Sequence, residues 1–262
     1  MISELKFAFK RPQIYIGLLG MFICLLSSSL PIWLTRVAQG DKEFMSAMDL
    51  SFTPIFFGGT ILLMPFCAAI SYASTQADEI KTGFIFPRII RGSLNRYAVT
   101  KIFVAALSGA FALGTACLLH MVFWHIVAGP YDIQARPEIE VFFADGTIYS
   151  TLCSYPYAWP AFAHAIAGFA LTGAFWSVVS LWIASIIPDT QLVVTIPVVV
   201  YYLWKSNFTG YAFGFELPDF TGFYNDGVTW LQYGYALGFH VLLFILIVWL
   251  YHKSLKRRSC YA

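Results

Sequence analysis

The chain has 262 residues, of which 59% are hydrophobic and 11% are charged, and its formal net charge is +2. Soluble globular proteins carry about 25% charged residues, and a chain of this length cannot bury so much apolar surface in one core. Lipid must therefore cover part of the chain, which excludes an ordinary soluble protein. Because a bilayer offers the backbone no water, the composition predicts an all-α, polytopic membrane protein.

The first predicted element is a short amphipathic helix over residues 1–12. Leu5 and Phe9 fall on one helical face, whereas Lys6 and Lys10 fall away from it. An apolar face flanked by lysines is typical of an interfacial helix lying on the inner leaflet of a membrane. The alternative is a solvated N-terminal tail.

Six membrane-spanning helices are predicted from apolar runs of about 20 residues, the length that crosses a bilayer. They form a single transmembrane domain over residues 1–262, and they cover about 13–34, 54–74, 102–124, 160–187, 190–204 and 232–252. The fifth span is short and contains Pro197. Residues 205–231 mix glycine with aromatic residues, which predicts a re-entrant segment before the last span.

The basic residues predict the orientation of these spans. With the N-terminus inside, 12 of the 16 basic residues fall on the inner side, whereas 10 of the 14 acidic residues fall on the outer side. Short inner loops rich in lysine and arginine are characteristic of the cytoplasmic face. We therefore expect a protein of the cytoplasmic membrane with both termini in the cytoplasm.

Common catalytic and metal-binding motifs are absent from the sequence. It contains no GxxxxGK[ST], HExxH or GxSxG, and its five cysteines form no CxxC pair. We therefore predict no catalytic residue, no metal site, no cofactor bound by this chain and no nucleic-acid partner. His164 and His240 fall in predicted spans, where ionisable residues are often functional, and a structural role near the helix ends is the alternative.

The most informative segment is the predicted cytoplasmic loop over residues 75–101, between the second and third spans. Its pattern predicts a short helix, then a break at 83–87, and then a second helix with Ser93 as the N-cap. The candidate functional residues of the loop include acids, bases and apolar side chains: Asp78, Glu79, Ile80, Gly83, Phe84, Arg88, Arg91, Arg96 and Lys101.

This loop resembles that of the membrane subunits of ABC exporters of the ABC type-2 group. In that family a glutamate is followed by a glycine, an apolar patch, a Ser-Arg or similar pair, and a lysine at the start of the next span. Glu79, Gly83, Arg96 and Lys101 match this order. The sequence departs from the family at Phe84, where a threonine is usual. The amphipathic first helix, the six spans and the re-entrant segment agree with the family architecture.

The resemblance implies a permease subunit of an ATP-driven exporter. The loop would be a coupling helix that docks on a separate ATPase subunit, where ATP and Mg would bind. Glu79 and the arginines would pair with charges of that partner, and Ile80, Phe84 and Ile85 would supply an apolar anchor. A second permease subunit, identical or related, would complete the path for an amphipathic peptide, lipid or hydrophobic drug.

Other functions remain open at this stage. The basic loop would, in the simplest alternative, only set the topology and bind anionic lipid headgroups. The chain would otherwise be a non-transporting anchor or sensor subunit, a secondary transporter or an intramembrane enzyme. Secondary transport is disfavoured because no Asp, Glu, Lys or Arg falls deep within a predicted span.

Overall fold

The structure is a computed structural model of the whole chain. The regular structure of the residues it describes is entirely helical, which confirms the all-α prediction. The described residues are 2–39, 47–57, 62–85, 87, 93–129, 151–152, 158–208 and 230–260. The predicted re-entrant segment lies mostly outside these ranges, as do Arg88 and Arg91 of the loop.

Helices of eight residues or more are numbered here in chain order within the described ranges. They are α1 (Ile2–Phe9), α2 (Pro12–Gln39), α3 (Ala47–Phe57), α4 (Met64–Lys81), α5 (Leu94–Val127), α6 (Trp159–Ile186), α7 (Thr190–Phe208) and α8 (Trp230–Cys260). The predicted N-terminal helix is α1.

Four helices in the described part of the chain are long and apolar enough to cross a membrane. They are Pro12–Ala38 of α2, all of α5, all of α6, and Leu237–Arg258 of α8. The apolar part of α7, Thr190–Trp204, is shorter. The chain is therefore a membrane protein, since these helices have the length that a bilayer requires.

The predicted second span, 54–74, is divided between two helices. α3 ends at Phe57 and α4 begins at Met64, with Pro65 in its first turn, where proline favours helix initiation. α4 continues to Lys81, so the short loop helix predicted before Gly83 is the C-terminal part of α4. The predicted loop thus begins later than expected, because Thr75, Gln76 and Glu79 of α4 are buried among other helices rather than exposed.

α4 lies at the centre of the helical bundle. It packs against α2, α5, α6 and α7, and most of its residues are buried. Small residues allow this close packing, as is common between membrane helices. The hydroxyl of Ser177 in α6 donates a hydrogen bond to the carbonyl oxygen of Ala68 in α4 at 2.7 Å. α5 and α6 cross at Gly109 and Gly173, where the backbone of each leaves no room for a Cβ on the other.

One end of the bundle, called the α1 end, gathers α1, the end of α4, the start of α5, the α6–α7 turn and the end of α8. Nε2 of His252 lies 2.7 Å from Oδ1 of Asn95, which joins α8 to α5. The guanidinium of Arg258 donates to the carbonyl oxygens of Ser185 and Ile186 at 2.6 and 2.7 Å. These bonds satisfy terminal carbonyls of α6, which have no partner within their own helix.

The opposite end of the bundle joins α2, α3 and α5. The indole Nε1 of Trp124 donates to the hydroxyl of Ser29 at 3.0 Å, and the rings of Trp33 and Trp124 lie 6.0 Å apart. The backbone N–H of Ala47 donates to the carbonyl oxygen of Gly129 at 3.3 Å. These contacts show that α2 and α5 run from the α1 end toward the opposite end, whereas α4, α6 and α8 run toward the α1 end.

Candidate functional site: a buried ion-pair cluster

The candidate site lies at the α1 end, where polar stripes of α4 and α5 face each other. In α4 the stripe is Tyr72, Gln76 and Glu79, and in α5 it is Tyr97 and Lys101. Residues spaced three or four apart share one face of a helix, so each set forms a continuous stripe. All five side chains are buried. The packing of α4 on α5 therefore encloses an ion pair.

Lys101 is the centre of this cluster and is 1% exposed. Its Nζ lies 2.8 Å from Oε2 of Glu79 and 2.9 Å from Oε1. It also donates to the hydroxyl of Tyr72 at 2.9 Å and lies 3.4 Å from Oε2 of Glu4 in α1. An ammonium group has three hydrogens to donate. The surroundings of Lys101 thus replace the water that it loses on burial.

The tyrosine rings add to the environment of the ammonium group. Nζ of Lys101 lies 5.3 Å from the ring centroid of Tyr72 and 5.6 Å from that of Tyr97, distances at which the ring face attracts a cation. The hydroxyl of Tyr97 lies 3.2 Å from Oε2 of Glu79 and 3.2 Å from Oε1 of Gln76. Since one hydroxyl donates one hydrogen, it can bond only one of these oxygens at a time.

Two buried polar atoms beside the cluster have no hydrogen-bond partner among the described residues. They are the hydroxyl of Tyr251 in α8, whose side chain is fully buried, and Nε2 of Gln76. The Tyr251 hydroxyl is close enough to Tyr72, Tyr97 and Glu79 to interact electrostatically with them. Buried polar groups are normally bonded, because losing water without compensation is costly.

This difference between the tyrosines gives a testable expectation. Tyr72→Phe should lower the free energy of unfolding by about 1.5–3 kcal/mol, the value of a hydrogen bond to a charged group. Tyr251→Phe should leave stability unchanged or raise it, because its hydroxyl is buried with no hydrogen-bond partner in the described part of the chain. Unfolding of both variants in the same detergent measures the difference, and equal losses would contradict it.

The structure places several predicted loop residues inside the protein. Glu79 and Ile80 are buried in the last turns of α4, and Ile85 is buried after the turn that follows. Lys101 is buried in α5, which begins at Leu94, before the predicted start of the third span. Glu79 is predicted from the sequence to pair with charges of a partner subunit, whereas in the structure it pairs with Lys101.

The remaining described loop residues lie at the surface. Asp78, Phe84 and Arg96 are exposed, and Phe84 is 53% exposed. Gly83 forms the turn after α4 with a φ of 71°, which glycine adopts without strain. Ser93 is the N-cap of α5, as predicted, since its hydroxyl accepts a hydrogen bond from the N–H of Arg96 at 3.2 Å.

The N-terminal helix presents its two predicted faces to different surroundings. Leu5 and Phe9 are partly buried against the core, and the rings of Phe9 and Phe111 lie 5.0 Å apart. Lys6 and Lys10 are exposed. α1 therefore packs on the bundle through its apolar side while Glu4 reaches Lys101.

The two histidines singled out in the sequence lie apart from the cluster. His164 is partly buried in α6, and His240 is 2% exposed in α8. A third histidine, His120, is 1% exposed in α5 and packs edge-on against Trp124 with ring centroids 6.3 Å apart. None of the three belongs to the polar stripes of α4 and α5 that form the ion-pair cluster, so the cluster is a separate feature of the described residues.

Sequence reasoning found two members of the cluster and missed the others. Glu79 and Lys101 were identified as functional candidates, but Tyr72, Gln76 and Tyr97 were not. The sequence did contain a signal for these residues. Tyr72, Gln76 and Glu79 are spaced four and three residues apart, and Tyr97 and Lys101 are four apart, so each set lies on one helical face. Glu4 gave no such signal, since it precedes Lys101 by 97 residues.

Comparison of this chain with models of protein families, with curated proteins and with solved structures finds no match. Its function must therefore be inferred from the chemistry and placement of its own residues. The features that bear on function are the buried ion pair and the exposed side chains near it, such as Phe84 and Arg96.

Proposed function

We propose that this chain is the permease subunit of an ATP-driven ABC exporter in the cytoplasmic membrane. It would move an amphipathic substrate, such as a peptide, lipid or hydrophobic drug, out of the cytoplasm. ATP and Mg would bind to separate ATPase subunits, and a second permease subunit would complete the path. The observation that supports this proposal most is the ion pair between Glu79 and Lys101, which joins the two helices flanking residues 82–93.

The ion pair between Glu79 and Lys101 would allow the segment between α4 and α5 to transmit a movement of the partner to both helices. Glu79 lies two residues before the end of α4, and Lys101 lies seven residues after the start of α5. Their 2.8 Å contact holds the two flanks of the connecting segment together. Because breaking a buried ion pair is strongly unfavourable, a force on this segment would move α4 and α5 together. α4 contacts α2, α6 and α7 as well, so its movement would reach most of the bundle.

The exposed side chains of the segment suit a protein partner. Phe84 is 53% exposed just beyond α4, and Lys81 and Arg96 are exposed on either side of the segment. Aromatic residues and arginine are enriched in protein interfaces. A loop that only set membrane topology would need positive charge but no exposed aromatic side chain. The direct contacts of the proposed interface are therefore assigned to Phe84 and Arg96 rather than to Glu79.

The six-span topology belongs to this proposal. α4 and α7 would add two crossings to the four long apolar helices. α4 could cross the membrane without being uniformly apolar, because the neighbouring helices enclose it and separate most of its surface from lipid. The α1 end, which carries most of the described basic residues, would face the cytoplasm with both termini.

A co-purification experiment tests the proposed partner. The tagged full-length chain, isolated in mild detergent from its own host, should retain an ATPase with a P-loop. Phe84→Ala with Arg96→Glu should remove most of that ATPase, because the change removes an aromatic contact and reverses a charge. The matched control is Trp159→Ala with Arg36→Glu, which alters an exposed aromatic residue of α6 and an exposed arginine of α2, both away from the α1 end.

The control variant should retain the ATPase at the level of the unmodified chain. Equal retention by both variants, with equal thermal stability, would contradict the assigned interface. Substrate movement by the purified chain alone in vesicles would instead favour a secondary transporter. A retained ATPase without substrate-stimulated hydrolysis would favour a non-transporting anchor or sensor subunit.

A further inference from the structure

The acidic residues at the α1 end are engaged in contacts within the chain. Glu4 and Glu79 lie 3.4 and 2.8 Å from Nζ of Lys101. The carboxylate of Asp78 accepts a hydrogen bond from a threonine hydroxyl at 3.1 Å. The carboxylate of Asp189 accepts two from backbone N–H groups in the first turn of α7, at 2.9 and 3.1 Å. Among the described residues of this end, the acids thus have internal partners.

The basic residues of the same end behave differently. Several are exposed at the surface: Lys6, Lys10, Lys81, Arg96, Lys253 and Arg257. These exposed cations outnumber the exposed carboxylates of Asp78 and Asp189, so the described surface of the α1 end is positively charged. A positive surface attracts anions of the medium or of a membrane.

The exposed face of α8 indicates which anion fits. Leu242, Leu246 and Trp249 on this face are 67%, 47% and 54% exposed. Steps of four residues from Trp249 lead along the same face to Lys253 and Arg257, both exposed. Nζ of Lys253 lies 4.8 Å from the ring centroid of Trp249. The order of aliphatic, tryptophan and cationic side chains matches the change from hydrocarbon to headgroup across half a bilayer.

A similar order occurs where α1 meets α2. Lys6 and Lys10 are exposed in the N-terminal segment, and the apolar side chains of Ile16, Leu19 and others on α2 are exposed beyond them. Two lipid-facing surfaces therefore end in cations at the same level of the bundle. This repetition indicates a headgroup layer around the α1 end.

We propose that Lys253 and Arg257 bind the phosphate headgroup of an anionic phospholipid whose acyl chains lie along the apolar face of α8. The two cations are one helical turn apart, so both can contact one phosphate. The apolar stripe distinguishes a lipid from a soluble anion, because it provides a surface for the chains. This proposal depends on the membrane location of the chain and not on ATPase docking.

Titration of the full-length protein in detergent tests this site. Phosphatidylglycerol, added to the micelles, should raise the thermal unfolding transition more than phosphatidylcholine does. For Lys253→Gln with Arg257→Gln, the half-maximal phosphatidylglycerol concentration should rise roughly 30-fold. This factor corresponds to the loss of two cations, each of which contributes about 1 kcal/mol near an anionic surface. The charge-preserving variant Lys253→Arg with Arg257→Lys should behave like the unmodified protein.

Lys81→Gln with Arg96→Gln is the matched control, since it also removes one lysine and one arginine from the α1 end. It should keep the lipid response, and an equal loss in this variant would overturn the site in favour of a general charge effect. Equal responses of the unmodified protein to both lipids would overturn the proposal. Stabilisation by soluble glycerol phosphate to the same extent would also overturn it, because the site would then bind a free anion.

Discussion

Lys101→Met should lower the free energy of unfolding by about 3–5 kcal/mol, the cost of leaving a buried charge without its partner. Lys101 is 1% exposed and Glu79 is 8% exposed, so water cannot readily replace the lost ammonium group. The change also removes the hydrogen bond to Tyr72 and the contact with Glu4. Unfolding in mixed detergent micelles, followed by circular dichroism, would measure the loss.

A second substitution separates the effect of the charge from the effect of packing. Lys101→Met with Glu79→Gln leaves no uncompensated charge between α4 and α5, so it should recover most of the stability that Lys101→Met loses. Lys81→Met is the matched control, since Lys81 is exposed at the end of α4. Its effect should stay within about 0.5 kcal/mol, as for most surface changes. A loss from Lys101→Met no larger than this would contradict the buried role.

The placement of Glu79 and Lys101 explains why the sequence predicted the cluster only in part. Charged residues are rarely buried unless they are paired, so a charged stretch between two apolar runs predicts a surface loop. Local hydropathy cannot detect that Glu79 and Lys101, 22 residues apart, compensate each other. Once α4 extends to Lys81 and α5 begins at Leu94, the two charges face each other.

The helices show the same limit of local patterns. The apolar run at 102–124 identified α5, and Ser93 correctly indicated its N-cap, but α5 extends from Leu94 to Val127. An apolar run predicts the part of a helix that contacts hydrocarbon, whereas helix ends are set by caps and by tertiary partners. The predicted span 54–74 shows the same limit. Its described residues lie mostly in two helices, and the second continues through polar residues that neighbours enclose.

Gly173→Ala should lower the free energy of unfolding by about 1–3 kcal/mol, the usual cost of overpacking a filled interior. A Cβ at Gly173 would contact the carbonyl oxygen of Gly109 and lie 2.7 Å from its carbonyl carbon. Neither atom can move by a change of rotamer, since both belong to the backbone of α5. The two helices would therefore have to separate. Unfolding in mixed detergent micelles, followed by circular dichroism, should show a lower free energy of unfolding for both Gly173→Ala and Gly109→Ala.

Gly238→Ala is the matched control for this crossing, because it also adds one methyl group within a long apolar helix. A Cβ at Gly238 meets no atom of the described residues within 4 Å. The control should therefore be neutral or should stabilise α8 by up to about 1 kcal/mol through helix propensity. Separation of α5 from α6 would also disturb the bond from Ser177 to α4. The destabilisation in Gly173→Ala should consequently include a weaker contact between α6 and the central helix α4. Equal stability of Gly173→Ala and Gly238→Ala would exclude a close crossing of α5 and α6.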